Sequence, residues 1–224
     1  MKPAPPPFSH VVIMGDLVGS EEAPDRRRLH AVFNAAVAAA NKKHRSTLAS
    51  PLTITLGDEF QGLAKSFSAA MAIIREMRFT LRRDEVACRF VLGAVSIETP
   101  LNAKKAWNMM GAGLSQTRDV LADKKDPNAY RFVIAQQALT EVLMNAVGLS
   151  ITEIENRWTD RQFEIAALDL GSETSVDKLA AKLGISARVF YKIRKAAELD
   201  FYVRQWSALT LAADALDDQF GFHP

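Results

Sequence analysis

Apolar and polar positions fall into two successive patterns along the chain. In the first, short continuous apolar runs alternate with stretches whose apolar residues recur at helical spacing, which predicts strands interleaved with helices. Val11 to Gly15 predicts a buried strand. Asp25 to Lys43 predicts a helix, with Leu29, Val32, Phe33, Ala36, Val37 and Ala40 at helical spacing. "LTITL", Leu52 to Leu56, predicts a strand, "GDE" a tight turn and "FQGLAKS" its hairpin partner. Ala69 to Arg83 reads as an amphipathic helix, "CRFVLGAVSI" as a strand, Gly113 to Ala122 as a helix, "YRFVIA" as a strand and Gln137 to Ala146 as a short helix. Hairpins mixed with crossover helices imply an α+β layer, a sheet with helices on one face.

The second pattern, from Ile151 onward, is helical throughout. Thr159 is placed to cap a helix over "TDRQFEIAALDL". "SVDKLAAKLGISARVFYKIRKAA" then carries Leu179, Ala180, Leu183, Gly184, Ile185, Val189 and Ile193 at the spacing of two short helices joined by a turn. Gly184 suits a left-handed turn residue and Ser186 a cap for the second helix. Val189, Phe190 and Ile193 are expected to pack inward. Arg188, Tyr191, Lys192 and Lys195 are expected to point outward, and these with Arg194 form a basic surface for duplex DNA, phosphates held by Lys and Arg. Trp206, Leu209, Leu216 and Phe220 share one face of a last helix. The expected division is a flexible leader over 1–9, an α+β domain over 10–150 and a helix-turn-helix domain over 151–224.

Composition narrows the classes. The 224 residues are 48% hydrophobic and 24% charged, ordinary for a globular chain that builds a sizeable core. No apolar run approaches the length needed to span a bilayer. The proline-rich start does not read as a signal peptide, and the single cysteine excludes an intrachain disulfide framework, so a cytoplasmic protein without membrane contact is expected. Net charge is only +2, but the stretch from Lys178 to Lys195 holds basic residues and no acidic one. The histidines make no spacing that suggests chemistry, Arg26, Arg27 and Arg28 read as a solvated face, and Trp107, Met109 and Met110 read as core filling.

Two short stretches carry candidate chemistry. In "VVIMGDLVGS" a buried strand ends on Asp16, and a carboxylate there needs hydrogen bonds, a cation or an exposed edge. In "TLGDEFQG" Asp58 occupies a hairpin tip. If the two meet, hard oxygen donors without histidine or cysteine suit Mg²⁺ or Mn²⁺, and the "LVGS" turn offers backbone N–H groups to phosphates.

The same stretches resemble known families. "VVIMGDLVGS" and "LTITLGDEFQGLAKSF" resemble, in order and spacing, the first two motifs of class III nucleotidyl cyclases, and "GDEF" echoes diguanylate cyclases. "IMGDLVGS", "LTITLGDEFQG", "RFVLGAVSIET" and "GAGLSQTRD" followed by a helix-turn-helix resemble the SatD family over nearly the full length. The run from Trp158 resembles the DNA-binding domains of LuxR-type regulators and sigma-factor region four. The cyclase resemblance implies a ferredoxin-like palm, metal ligation by Asp16 and Asp58 with the Leu17 carbonyl as third donor, and phosphate contact at Gly19 and Ser20. It also implies a catalytic role for Arg118 on a transferring phosphoryl group, supplied across a homodimer. Ile54 stands where those cyclases carry a purine-recognising Lys, and Leu114 where they carry Asn. The expected function is a DNA-binding, transcription-regulating protein whose palm binds a metal and a nucleotide. The alternative is a metal-dependent nucleotidyl cyclase or nucleotidyltransferase.

Overall fold

The computed structural model describes residues 8–171 and 174–222; most of the expected leader, residues 1–7, lies outside them. Five strands form one sheet: β1 (His10–Leu17), β2 (Leu48–Ile54), β3 (Glu59–Ala64), β4 (Cys88–Val95) and β5 (Tyr130–Val133), in the order β2-β3-β1-β4-β5. Helix α1 (Arg26–Lys43) links β1 to β2, and α2 (Phe67–Arg83) links β3 to β4. β1 runs antiparallel to both β3 and β4, and β2 antiparallel to β3. This βαββαβ path is the ferredoxin-like arrangement. Helix α3 (Leu114–Ala122) then leads to β5, which adds in parallel beside β4.

β1 reads as an unbroken apolar run because both of its faces are covered. Val11, Ile13 and Leu17 enter the main core with Phe33, Val37, Ile74 and Met77 of α1 and α2. Val12 and Met14 enter a second cluster with Leu63, Val91, Leu114 and Leu121. The expectation of helices on one face is therefore corrected: α3 lies on the other. Gly93 lets it approach, since a Cβ there would sit 2.0 Å from Thr117 Oγ1.

Several boundaries differ from the pattern. β2 begins at Leu48, its register shifting between Ser50 and Thr53 around Pro51, which an edge strand tolerates. Ser66 caps α2 two residues earlier than expected, its side chain accepting from Ala69 N. Helix α4 (Ala138–Arg157) is 20 residues long and passes through Gly148, whose Cβ would lie 2.2 Å from Tyr130 O. The expected boundary at 150 thus falls inside a continuous helix.

α5 (Asp160–Leu170), α6 (Val176–Lys182) and α7 (Ala187–Ala196) follow, with a small cluster of Ile165, Leu179, Ala180 and Phe190 between them. α8 (Leu199–Phe220) returns to the main core through Trp206, Leu209, Ala213, Leu216 and Phe220. Asp217 accepts from Phe67 N at 2.6 Å and Ser68 N at 2.9 Å, so α8 closes the N-terminus of α2. A separate unit from 151 to 224 is not shown. Trp107 and Met110, expected inside, are 56% and 71% exposed, while Met109 packs against the second cluster. No helix among the described residues is long and apolar enough to cross a membrane.

Candidate functional site

Period-two alternation sets Asp16 on the α3 side of the sheet with Val12 and Met14. It is 3% exposed, and its Oδ2 meets Lys124 Nζ at 2.6 Å and Arg89 Nε at 3.2 Å. Arg89 stands opposite it on β4, and Lys124 follows α3. Glu59 is its cross-strand partner on β3, with Oε1 3.7 Å from the same ammonium. Two cations, neither singled out by the sequence, offset the charge of the buried carboxylate as ion pairs. Their signal was lost because both read as ordinary charges in a strand start and a loop.

Asp58 has other partners. Its carbonyl accepts from Leu17 N at 3.0 Å, which ties the hairpin tip to the end of β1. Its carboxylate accepts from Ser20 Oγ at 2.6 Å. Gly19 adopts a positive φ of 70°, the conformation that turns the chain from β1 toward α1. Asp58 and Ser20 line a cleft of about 410 Å³ with Arg26 and His30 of α1 and the apolar Leu29 and Leu56. Arg26 Nη2 donates to Glu21 O at 2.5 Å, and Asp25 caps α1 by accepting from Arg28 N.

The structure thus brings Leu17, Gly19, Ser20 and Asp58 together, while Asp16 faces the opposite side of the sheet. A Mg²⁺ or Mn²⁺ ion needs several hard oxygens around one point. Among the described residues no group of three or more Asp, Glu, His or Cys side chains could hold one, and Asp16 is already matched by Arg89 and Lys124. The donor set as arranged does not fit a metal centre. Arg118 is exposed on α3 and donates to Gln61 Oε1 at 3.0 Å within its own chain. Leu114 is buried in the second cluster and Ile54 packs against the main core.

The α6–α7 pair forms as expected locally. Gly184 has φ of 65°, and the Ser186 side chain accepts from Val189 N. Phe190 is buried, whereas Val189, expected inside, is 41% exposed. Arg188, Tyr191, Lys192 and Lys195 are exposed. Arg194 is not free: it holds Asp169 at 3.0 Å and Asp200 at 2.5 Å, locking α7 to α5 and α8. Burial pulls its pKa down, yet the two carboxylates outweigh this and hold it above the ordinary arginine value.

The model of the SatD family matches residues 10–212, and the chain belongs to that family. No curated protein matches it. Among solved structures, a bacterial light-regulated adenylyl cyclase overlaps with a TM-score of 0.38 and 12% identity, covering 55% of this chain and 42% of that one. The chain therefore spans less than half the length of that cyclase. A guanylyl cyclase overlaps with a TM-score of 0.39 and 16% identity, covering 58% of this chain and 76% of that one.

Proposed function

We propose that this member of the SatD family is a nucleotide-handling palm protein of the cyclase type. The observation that carries the reading is the cleft beside the β1–α1 turn, where Ser20, Arg26, His30 and Asp58 converge with Leu29 and Leu56. Its volume falls in the range of small-molecule sites, and it pairs apolar walls for a base with a few polar groups that fix orientation. The ferredoxin-like strand order supports it, as does the fixed contact between the "DLVGS" turn and the "GDE" tip. In this reading the Gly19–Ser20 turn and Arg26 receive phosphates, because backbone N–H groups and a guanidinium suit phosphate oxygens. Leu29 and Leu56 contact the base.

Calorimetric titration with ATP and with GTP tests the proposal. Binding is expected, weakened roughly 10-fold by Arg26→Ala, a loss in keeping with one charge-assisted contact. Absence of binding by either nucleotide overturns it. Pyrophosphate release in the same mixture, abolished by Asp58→Ala in the cleft, adds nucleotidyl transfer to binding.

A second reading, contact with duplex DNA, has its own support: α7 carries Arg188, Tyr191, Lys192 and Lys195 exposed and no acidic residue. Lys192→Ala with Lys195→Ala is expected to lower affinity for any duplex and to flatten its salt dependence. Unchanged binding by that pair, or no binding by the unmodified chain, removes this reading. Arg194 belongs in neither test, since its ion pairs hold α7 in place.

A further inference from the structure

Asp16 and Glu59 stand directly opposite each other on β1 and β3. Like charges at that spacing destabilise a sheet unless a cation lies between them. Here the cation belongs to the chain: Lys124 Nζ is 2.6 Å from Asp16 Oδ2 and 3.7 Å from Glu59 Oε1. The contact to Asp16 is a close ion pair. Arg89 meets the same Asp16 oxygen from the β4 side at 3.2 Å.

We infer that the Lys124 ammonium takes the place of a divalent ion between Asp16 and Glu59, so that the chain as it stands excludes Mg²⁺ and Mn²⁺ from this face of the sheet. The disagreement between the carboxylates and a metal centre is then built in by one residue. A tethered ammonium competes at an effective concentration in the millimolar range, which an ion of ordinary affinity must overcome. Arg89 shares Asp16 Oδ2 with Lys124, whereas Lys124 alone also reaches Glu59 and so stands between the two carboxylates. Lys124 is the removable member. Its side chain is 48% exposed in the loop just after α3, whereas that of Arg89 on β4 is 11% exposed. Withdrawing the ammonium leaves two oxygen donors facing each other with solvent able to complete a coordination shell, as Mg²⁺ and Mn²⁺ commonly require. The inference concerns the α3 side of the sheet and stands apart from nucleotide binding in the cleft beside α1.

Mn²⁺ alone is the probe, its binding to the full chain followed by electron paramagnetic resonance of the free ion and by thermal melting. The unmodified chain is expected to bind at least 10-fold more weakly than Lys124→Met, and Lys124→Arg is expected to behave like the unmodified chain. Adding Asp16→Asn or Glu59→Gln to Lys124→Met is expected to cancel the gain. Lys124→Gln, polar but uncharged, repeats the comparison should the methionine variant fail to fold. Equal Mn²⁺ affinity in the unmodified chain and the neutral variants overturns the inference. So does a gain that survives Asp16→Asn.

Discussion

Glu155, 1% exposed on α4, accepts from Arg78 Nε at 2.8 Å, from Tyr130 OH at 2.7 Å and from Tyr202 OH at 2.9 Å. A charge this deep persists because every oxygen has a donor. Around it burial, and after burial the Glu155 charge, pushes both tyrosine pKa values well up. Burial likewise pushes the Cys88 thiol up from 9.0 to about 12. The sign follows from linkage. The folded state keeps these protons longer than the unfolded chain, so their contribution is full below pH 9 and is lost as pH rises toward about 12. Denaturant midpoints are expected to hold steady up to pH 9 and fall above it, and a flat profile through pH 11 would contradict this. At this scale the sequence showed that Asp16 needed a partner but not which one. Arg89 and Lys124 lie far along the chain, and no local spacing announces pairings made by the sheet register and by the loop after α3.

The junction between α8 and α2 shows what single elements contribute. Asp217 accepts from two backbone N–H groups in the first turn of α2 and from Ser68 Oγ at 2.6 Å. Asp217→Ala leaves the Phe67 and Ser68 backbone donors without their side-chain acceptor, the first of them buried, while Ser68 Oγ keeps Asp214, and is expected to cost about 2 kcal/mol. For a chain of this size that is a fall of roughly 5 °C in Tm, read by calorimetry; Asp217→Asn, which keeps an acceptor, should recover part of it. Elements with strong periodicity were legible in the sequence: α1, the body and end of α2, the hairpin tip and the Gly184 turn fall where apolar spacing and turn residues put them, whereas the start of α2 at its Ser66 cap does not. The expected short helix stopped at Ala146, before Gly148, whereas α4 runs on through it to Arg157. The task of Gly148 is to let α4 lie against β5, a contact that no local pattern contains. β2 likewise extends beyond its expected start, through Pro51 back to Leu48.

The ferredoxin-like palm was legible because the two carboxylate motifs and their spacing resemble a known arrangement; the layering was not. Which face a helix covers depends on where the chain returns, and α3 and α8 return to opposite sides of the sheet. The last helix is the clearest case. Its apolar stripe was readable, but its destination, the core of the first part of the chain, was not. That destination has a consequence for how the protein is made. During synthesis, the first turn of α2 waits for a carboxylate that leaves the ribosome 150 residues later. Until then the nascent chain carries an open seam beside Phe67, where chaperones or proteases find it, and a message truncated before residue 217 yields a product that never seals.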